Sequence, residues 1–332
     1  MEEGKVFKIL AIDGGGIKGL YSSTILEQLE SKYGGQMSDY FDLICGTSTG
    51  GLIALALSLK IPAAEISKLY LEKGAIIFPH RGKWRQYFWK GKYSDEPLRK
   101  VLQELFGDRT LSESNNLLCI PSYSITDARP VVFKFDHREG NLCRDNKANY
   151  VDIALATSAA PTYFPITELP YYENKQFIDG GVWANNPAFV GLLEALTYFV
   201  GQGKEYASVK VLSVGSLTKT SGMPTGISRF RSALGWRQYL LDTFFVGQSS
   251  FTEYIMKTFE KTTNIKIDYV RIPSVPISAK QEHLVQMDLA TKNSLNLLRG
   301  KGKDAGFDAA NNKAIADFFS CKKHYNPQSY GR

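Results

Sequence analysis

Strand-length apolar runs alternate with segments of helical spacing along the first two thirds of the chain. Residues 6–12 form the first apolar run, and apolar residues then recur at helical spacing up to the glycine pair at 34–35. A second strand pattern at 41–45 leads through a turn of small residues into a buried-helix pattern at 52–59. The alternation continues with predicted strands at 118–126, 131–135, 176–178 and 209–214 and predicted helices at 62–75, 95–106, 151–158 and 187–200. This order predicts an α/β fold, in which a mostly parallel central sheet is flanked by helices on both faces.

The last third of the chain has a different, mainly helical pattern. It predicts one further strand and two helices, at 265–272, 281–299 and 303–320. The chain contains no Gly/Ser-rich or Pro-rich linker, no internal repeat and no low-complexity tract. We therefore expect residues 1–332 to form a single domain, in which a mainly helical part at 216–332 packs on an α/β core at 7–215.

Composition is that of an ordinary folded protein. The 332 residues are 43% hydrophobic and 12% aromatic. No apolar run approaches the roughly 20 residues that a membrane-spanning helix needs, and the acidic start predicts no secretory or transit peptide. The cysteines at 45, 119, 143 and 321 are scattered, without the spacing of a zinc site or a disulfide framework. These features predict a cytoplasmic protein without a structural metal.

The charge balance favours anionic partners. A formal net charge of +7 suits phospholipid headgroups, nucleotides and nucleic acids. No zinc-finger, homeodomain or RNA-binding signature accompanies this charge, so we do not expect a nucleic-acid polymer among the partners.

The segment Gly-Thr-Ser-Thr-Gly-Gly at 46–51 contains the G-x-S-x-G pattern of a nucleophile turn, and it lies between a predicted strand and a predicted helix. Such a turn needs unusual backbone angles, and Gly46 and Gly50 leave room for a sharp bend that exposes the Ser48 hydroxyl. The helix after it directs amides and a positive dipole toward the site, which helps to hold a developing oxyanion. Turns of this composition also cap helices, so the motif alone leaves a structural role open.

A second glycine-rich loop, Asp-Gly-Gly-Gly-Ile-Lys-Gly at 13–19, follows the first predicted strand and opens a helix. Its amides can bind an anion and Lys18 adds positive charge, so an oxyanion hole is one interpretation. Dinucleotide binding is the rival, because the loop also matches G-x-G-x-x-G. That fingerprint expects an acidic residue at the end of the next strand, where this chain has Cys-Gly-Thr-Ser at 45–48. A P-loop is excluded, because no Gly-Lys-Ser/Thr follows the loop.

A serine nucleophile needs a base within hydrogen-bonding distance, and the chain offers two candidates. Asp179 ends an apolar strand pattern, and Gly180 and Gly181 remove side-chain bulk beside its carboxyl group. Partial desolvation would raise its pKa toward that of a useful base, although a purely structural turn aspartate has the same sequence pattern. His283 satisfies the Ser, Asp, His order of α/β-hydrolases, but only one or two strands precede Ser48, fewer than that fold has.

The motifs at 13–19, 46–50 and 179–181, in this order, resemble those of the patatin-like phospholipase family. The similarity extends to Ala-Ala-Pro-Thr-Tyr-Phe-Pro at 159–165 and Met-Asp-Leu-Ala at 287–290. The resemblance implies metal-independent acyl hydrolysis of phospholipids and related lipids by a Ser–Asp dyad. It assigns the nucleophile to Ser48, the base to Asp179 and the oxyanion hole to Gly14, Gly15 and Gly16. The residues predicted to support this site are Lys18, Gly46, Thr49, Gly50, Gly180 and Gly181.

Chain size and overall style also resemble the lipases of cyclic-oligonucleotide antiphage defence. That resemblance implies a cyclic dinucleotide as activator and a membrane phospholipid as substrate, met at the bilayer surface. A plant-type storage or housekeeping acyl hydrolase is the alternative within the family, and a dinucleotide-binding protein or a catalytically idle binding protein are alternatives outside it. Two aromatic-rich segments, 81–93 and 230–251, are predicted to form a lid, a membrane surface or ordinary packing.

Overall fold

The computed structural model describes residues 5–79, 92–218, 226, 229–230 and 232–327. Most of the aromatic-rich segment starting at residue 81 lies outside the described residues. The strands are β1 (Val6–Ile12), β2 (Leu43–Gly46), β3 (Leu117–Ser124), β4 (Arg129–Lys134), β5 (Thr167–Leu169), β6 (Lys175–Asp179), β7 (Ser208–Val214) and β8 (Lys266–Ile272). The helices are α1 (Gly19–Tyr33), α2 (Met37–Tyr40), α3 (Thr49–Ser58), α4 (Ala63–Ile77), α5 (Glu96–Phe106), α6 (Tyr150–Ser158), α7 (Gly181–Ala184), α8 (Ala188–Tyr198), α9 (Ala233–Thr262), α10 (Lys292–Ala310) and α11 (Lys313–Ala316).

These strands form one eight-stranded sheet in the order β5-β6-β3-β2-β1-β7-β8, and β4 pairs with β3 beside this path. Strands β3, β2, β1, β7 and β8 are all parallel to their neighbours in this series. The pairings of β4 and β6 with β3, and of β5 with β6, are antiparallel. The predicted α/β class with a mostly parallel sheet is therefore confirmed, and β8 extends that sheet with a strand from the last third of the chain.

The predicted helices of the first half follow from their apolar spacing. In α1 the residues Leu20, Ile25, Leu26 and Leu29 are all buried, as the helical spacing requires. Helix α3 is buried along almost its whole length and packs against β1, β2 and β3. Helix α1 packs instead with α4 and α10, so α10 covers the helix that follows the glycine loop.

The prediction of a helix at 281–299 is wrong for the first half of that range. The chain makes only a 3-10 turn at Glu282–Leu284, and α10 begins at Lys292. Between these elements the Met287 carbonyl accepts the amide hydrogen of Ile17 at 2.8 Å. This long-range contact with the glycine loop takes the place of a helical hydrogen bond, so tertiary structure overrides the local helical pattern.

The helix predicted at 303–320 is also displaced. Helix α10 runs without a break through residue 303 to Ala310, and α11 and a 3-10 turn at Asp317–Phe319 follow. Gly302 and Gly306 of α10 allow its close packing on α1, since a Cβ at either position would lie 2.7 Å from an α1 side chain, Thr24 or Gln28. The short strand β5 was not predicted, because three residues give too little pattern.

Asp42, buried at the start of β2, joins β1 to the end of the described chain. Its carboxylate accepts the amide hydrogens of Lys8, His324 and Tyr325 at 2.8, 2.9 and 2.7 Å. We expect Asp42→Ala to lower the free energy of unfolding by about 3 kcal/mol or more, because three buried amides lose their acceptor. Urea unfolding measures this loss. Asp42→Asn keeps one carbonyl oxygen and should lose less, so equal losses in both variants would contradict this explanation.

Candidate active site

Ser48 lies at the junction of β2 and α3, in a backbone conformation that residues other than glycine rarely adopt. Its φ is 54°, its ψ is −125° and the residue is 7% exposed. The sharp turn is possible because a Cβ at Gly46 would lie 2.0 Å from the Gly50 carbonyl oxygen, so only glycine fits there. Thr49 begins α3, and its buried hydroxyl bonds to the hydroxyl of Tyr70. The turn thus has the geometry that the G-x-S-x-G pattern predicts.

Asp179, at the end of β6, is buried close to this turn. Its Oδ1 accepts the amide hydrogen of Gly181 at 2.7 Å, whereas Oδ2 has no partner of normal hydrogen-bond geometry among the described residues. Burial raises the pKa of this carboxyl group to about 7, and the nearby Ser48 hydroxyl and the Gly181 amide partly oppose the increase. Ser48 is therefore near enough to act on the carboxyl group without yet making a well-aligned hydrogen bond, as is common in unliganded active sites.

Strand β3 explains why these two side chains meet. Strand β2 runs parallel to β3 and ends beyond the pair Cys45 and Cys119, whereas β6 runs antiparallel and ends at the pair Ser122 and Asp179. Strand β4 pairs with β3 both beside the β2 pairing and beside the β6 pairing, so it occupies one edge of β3. Strands β2 and β6 therefore both pair with the other edge of β3, one after the other. Because β2 ends at Gly46, one residue beyond Cys45, the two carboxyl ends point at each other across about two steps along β3, or about 7 Å. Ser48 and Asp179 project into that gap in the sheet.

Thr157, near the end of α6, fills the gap from one side. Its hydroxyl donates to the Pro121 carbonyl at 2.6 Å and accepts the amide hydrogen of Ser48 at 3.0 Å. The amide of Asp179 donates to the Ala159 carbonyl at 3.0 Å. The end of α6 therefore positions both candidate catalytic residues. Sequence patterns gave no signal for Thr157, since it lies in a helix whose spacing shows only burial.

The glycine loop between β1 and α1 passes directly alongside the serine. A Cβ at Gly14 would lie 3.3 Å from the Ser48 Cβ. The Gly14 amide donates to the Asn185 carbonyl at 3.0 Å, whereas the amides of Gly15 and Gly16 have no acceptor in the part of the chain that the structure describes. Gly16 also has a φ of 61°, which favours glycine. Two amides without an acceptor beside a nucleophile are the donors that an oxyanion needs.

A buried ion pair holds the start of this loop. Asp13 pairs with Arg271 of β8 at 2.6 Å, and the Ser249 hydroxyl of α9 lies 3.5 Å from the same carboxylate oxygen. Burial raises the pKa of Asp13, while the positive charges of Arg271 and, more weakly, Lys18 oppose the increase. Burial tends to lower the pKa of Arg271, but the charge of Asp13 and its hydrogen bond raise the pKa on balance, so the guanidinium stays charged. Sequence patterns did not identify Arg271, because the strand that contains it shows only a strand pattern.

The two glycines of the turn after β6 allow different close contacts around the site. A Cβ at Gly180 would lie 2.2 Å from the Pro121 carbonyl oxygen, so this residue lets the turn pack directly on β3. Gly181 begins α7 and lies close to Phe245 of α9. The Asn185 side chain then donates to Ser249 at 3.0 Å. Helix α9 therefore contacts both the glycine turn and the glycine loop.

None of the histidines that the structure describes bonds to Ser48 or Asp179. His283 lies on the exposed 3-10 turn before α10. The buried His137 is paired with Glu194 at 2.9 Å. The described geometry therefore favours a serine and aspartate pair over a triad with His283.

Two pockets of different chemistry border the glycine loop. One is apolar and reaches Ser48 and Gly16, with walls that include Leu52, Ile77, Phe78, Leu98, Tyr163 and Phe164. The other is the more polar of the two, and we call it the polar pocket. Its wall includes Gly14, Gly15, Lys18 and the hydroxyl-bearing residues Ser216, Thr218, Ser249, Ser250 and Ser274. Met287 contributes to both pockets. A group attacked by Ser48 can thus have an apolar chain on one side and a polar substituent on the other.

Comparison with known proteins assigns the chain to a family. A model of the patatin-like phospholipase family matches residues 10–192, which include every predicted site residue. The chain is 32% identical to the cGAMP-activated phospholipase of Pseudomonas aeruginosa over 90% of this chain and 87% of that protein. It is 31% identical to the protein of the same name from Vibrio cholerae over 94% of each, and 28% identical to patatin-like protein 2 of Arabidopsis thaliana over 91% of this chain and 83% of that protein. The chain therefore belongs to the patatin-like phospholipase family.

This membership confirms the resemblance found in the three sequence motifs. It gives no support to the alternatives of a dinucleotide-binding protein or an idle storage protein. Among the residues described, no group of three or more His, Cys, Asp or Glu side chains is arranged to hold a metal ion. The same residues include no helix with the length and apolar character needed to cross a membrane.

Proposed function

We propose that this patatin-like phospholipase cleaves ester bonds of membrane phospholipids through a serine-dependent mechanism with Ser48 as nucleophile and Asp179 as base. The observation that supports it most is the placement of a strained serine beside a buried carboxyl group with a pKa of about 7. A carboxyl group with this pKa can accept a proton from serine near neutral pH, which an ordinary aspartate does poorly. No cofactor takes part in the proposed reaction.

In the first step, Asp179 accepts the proton of the Ser48 hydroxyl while Oγ attacks the ester carbonyl carbon. The amides of Gly15 and Gly16 stabilise the oxyanion, while Gly14 holds the loop in place through its own hydrogen bond to Asn185. The bond to the leaving alcohol then breaks, and protonated Asp179 returns the proton to the leaving oxygen. A water molecule, deprotonated by the same aspartate, then attacks the acyl-enzyme. The bond between the acyl carbon and Ser48 Oγ breaks, the fatty acid is released and Asp179 returns the proton to Oγ.

The two pockets support this choice of substrate. The apolar pocket beside Ser48 suits a fatty acyl chain, and the polar pocket beside the glycine loop suits a glycerol and headgroup. The charged side chains that line the polar pocket are Lys18, Arg271, Asp13 and Glu253. Because Arg271 is paired with Asp13, we assign the contact with a phosphate group to Lys18. The glycines at 46, 50, 180 and 181 and Thr49 act indirectly in this proposal, because they keep the turns that position the dyad.

The pH dependence follows from the raised pKa of Asp179. Only the carboxylate accepts a proton, so kcat/KM for a soluble ester should rise with pH and level off above about 7. Below that pH it should fall about tenfold per pH unit, as for any single essential base. Initial rates with p-nitrophenyl butyrate in constant-ionic-strength buffers measure this profile. A profile that stays flat down to pH 5 would show that the pKa of the base is not raised.

Control by a cyclic dinucleotide is the second part of the proposal. It is supported by the relatives from P. aeruginosa and V. cholerae, whose names describe activation by cGAMP. The net charge of +7 is compatible with such an anionic activator. We also propose that the protein is cytoplasmic and associates peripherally with the membrane when active, since its substrate lies in a bilayer.

Phospholipid hydrolysis in vesicles tests both parts. Wild type, Ser48→Ala and the surface control Ser320→Ala are assayed on a fluorogenic phospholipid with and without a panel of cyclic dinucleotides. We expect wild type and Ser320→Ala to hydrolyse the lipid in response to one cyclic dinucleotide, and Ser48→Ala to remain inactive. Hydrolysis that is equal with and without every nucleotide would remove the activator from the proposal. Hydrolysis by Ser48→Ala would remove the catalytic serine.

A further inference from the structure

Helix α9 has a stripe of exposed apolar side chains on one face, which we call the α9 stripe. Its members are separated by four, four, seven and three residues, so they follow one side of the helix. All are between 43% and 68% exposed, which is unusual for such large apolar groups. They are Trp236, Leu240, Phe244, Phe251 and Tyr254.

The opposite face of α9 packs on the active site. Phe245 and Met256 are buried, and Phe245 lies against Gly181 next to the catalytic aspartate. The side chain of Gln248 hydrogen-bonds to the Val182 carbonyl within the turn that follows Asp179. One helix therefore has an inner face in contact with the catalytic turn and an outer face on which the described apolar side chains are exposed.

Other residues of α9, next to the stripe along the helix, line the polar pocket. Val246 is 51% exposed and lines that pocket, as do Ser249 and Ser250 on the next turn of the helix. A surface that docks on the stripe is therefore brought next to the pocket and the glycine loop. A second protein seated there would cover the rim that a substrate must reach, whereas a bilayer would present its lipids at that rim.

We propose that the α9 stripe is the surface by which the protein docks on phospholipid bilayers. The composition supports this partner, because Trp and Tyr suit the boundary between headgroups and acyl chains and Phe and Leu suit the apolar side of it. The exposed Lys261 follows the stripe on the same helix, where it can contact anionic headgroups. Lys257, also exposed, is paired with Glu253 at 2.6 Å. The inference rests on the proposed function, since a phospholipase must reach a substrate held in a bilayer.

Vesicle sedimentation of the full chain tests the proposal. The double variant Phe251→Gln/Tyr254→Gln removes two members of the stripe, neither of which lines the polar pocket, and Gln keeps the helix propensity. The matched control is Phe307→Gln, whose side chain is 66% exposed on α10. The parent protein carries Ser48→Ala, and the double variant and the control are made in this parent, so that vesicles of phosphatidylethanolamine and phosphatidylglycerol stay intact. We expect the double variant to partition at least about tenfold less than its parent, and the control to match the parent.

Activity assays of the same variants, now made with Ser48 present, distinguish a loss of docking from a loss of catalysis. We expect the double variant to lose about tenfold in vesicle hydrolysis while kcat/KM for p-nitrophenyl butyrate stays within about twofold of wild type. Unchanged vesicle partition of the double variant, or an equal loss in the control, would overturn the proposal. So would a dimer that the double variant converts to a monomer, since the stripe would then be a contact between two copies. These activity assays are run with the panel of cyclic dinucleotides present. If wild type binds vesicles through the stripe but hydrolyses neither substrate with any of these nucleotides, the proposed function fails and the docking surface stands.

Discussion

Replacing Ser48 with Ala is expected to reduce kcat/KM for a soluble ester by a factor of at least about 10⁴, because the reaction loses its nucleophile. The fold should not change, since the Ser48 side chain makes no well-aligned hydrogen bond in the structure and its amide bond to Thr157 does not need the hydroxyl. Steady-state kinetics with p-nitrophenyl butyrate measure the loss.

Thr157→Val is the informative companion to this variant. Valine keeps the shape of threonine but removes both the acceptor for the Ser48 amide and the donor to the Pro121 carbonyl. Its kcat should fall while the serine remains present, so its rate should lie between those of wild type and Ser48→Ala. A Ser48→Ala protein that retains wild-type kcat/KM would assign the chemistry to another residue.

Replacing Asp179 with Asn should abolish catalysis and stabilise the protein. Activity should fall at least about 10³-fold, since asparagine cannot accept the serine proton. The stability effect has the opposite sign: the folded-state pKa of about 7 lies above the unfolded value, so Asp179 contributes less stability as pH rises from about 4 to 7. The cost of holding the buried carboxylate above pH 7 is on the order of 3–4 kcal/mol, and Asp179→Asn removes it.

Urea unfolding at two pH values tests this pair of effects. We expect Asp179→Asn to be more stable than wild type at pH 8, by on the order of 2–4 kcal/mol, and the gain to shrink by pH 5, where wild-type Asp179 is protonated. The control is Asp127→Asn. The Asp127 carboxylate pairs with Lys175 at 3.1 Å, so its replacement should give no gain in stability. A loss of stability at pH 8 in Asp179→Asn would show that the carboxylate is held by favourable contacts and not at a cost.

The sequence patterns predicted the elements of the fold better than their directions. The apolar runs at 6–12, 41–45 and 209–214 lie in adjacent parallel strands, as the alternation with helices indicated. Nothing in the run at 176–178 showed that β6 would be antiparallel to β3, because strand direction depends on the connection and not on the strand itself. The direction of β6 nonetheless brings Asp179 to Ser48.

The local motifs predicted the glycine loop, the serine turn and the acidic turn as separate pieces, and the structure brings them together. Their catalytic roles stay predictions. The residues that join the pieces, such as Thr157, Asn185 and Arg271, act across long sequence separations and show no local pattern. The loop before α10 was mistaken for a helix for the same reason, since its Met287 carbonyl is used by the amide of Ile17.

Covalent labelling with a fluorophosphonate tests the central claim most directly, because the reagent traps a serine that a neighbouring base has activated. Wild-type protein is labelled at pH 8, digested and mapped by mass spectrometry, with Ser48→Ala and Asp179→Asn in parallel. We expect one adduct, on the peptide that contains Ser48, with no adduct in Ser48→Ala and much slower labelling in Asp179→Asn. An adduct on a different serine, or equal labelling of all three proteins, would contradict a mechanism based on Ser48 and Asp179.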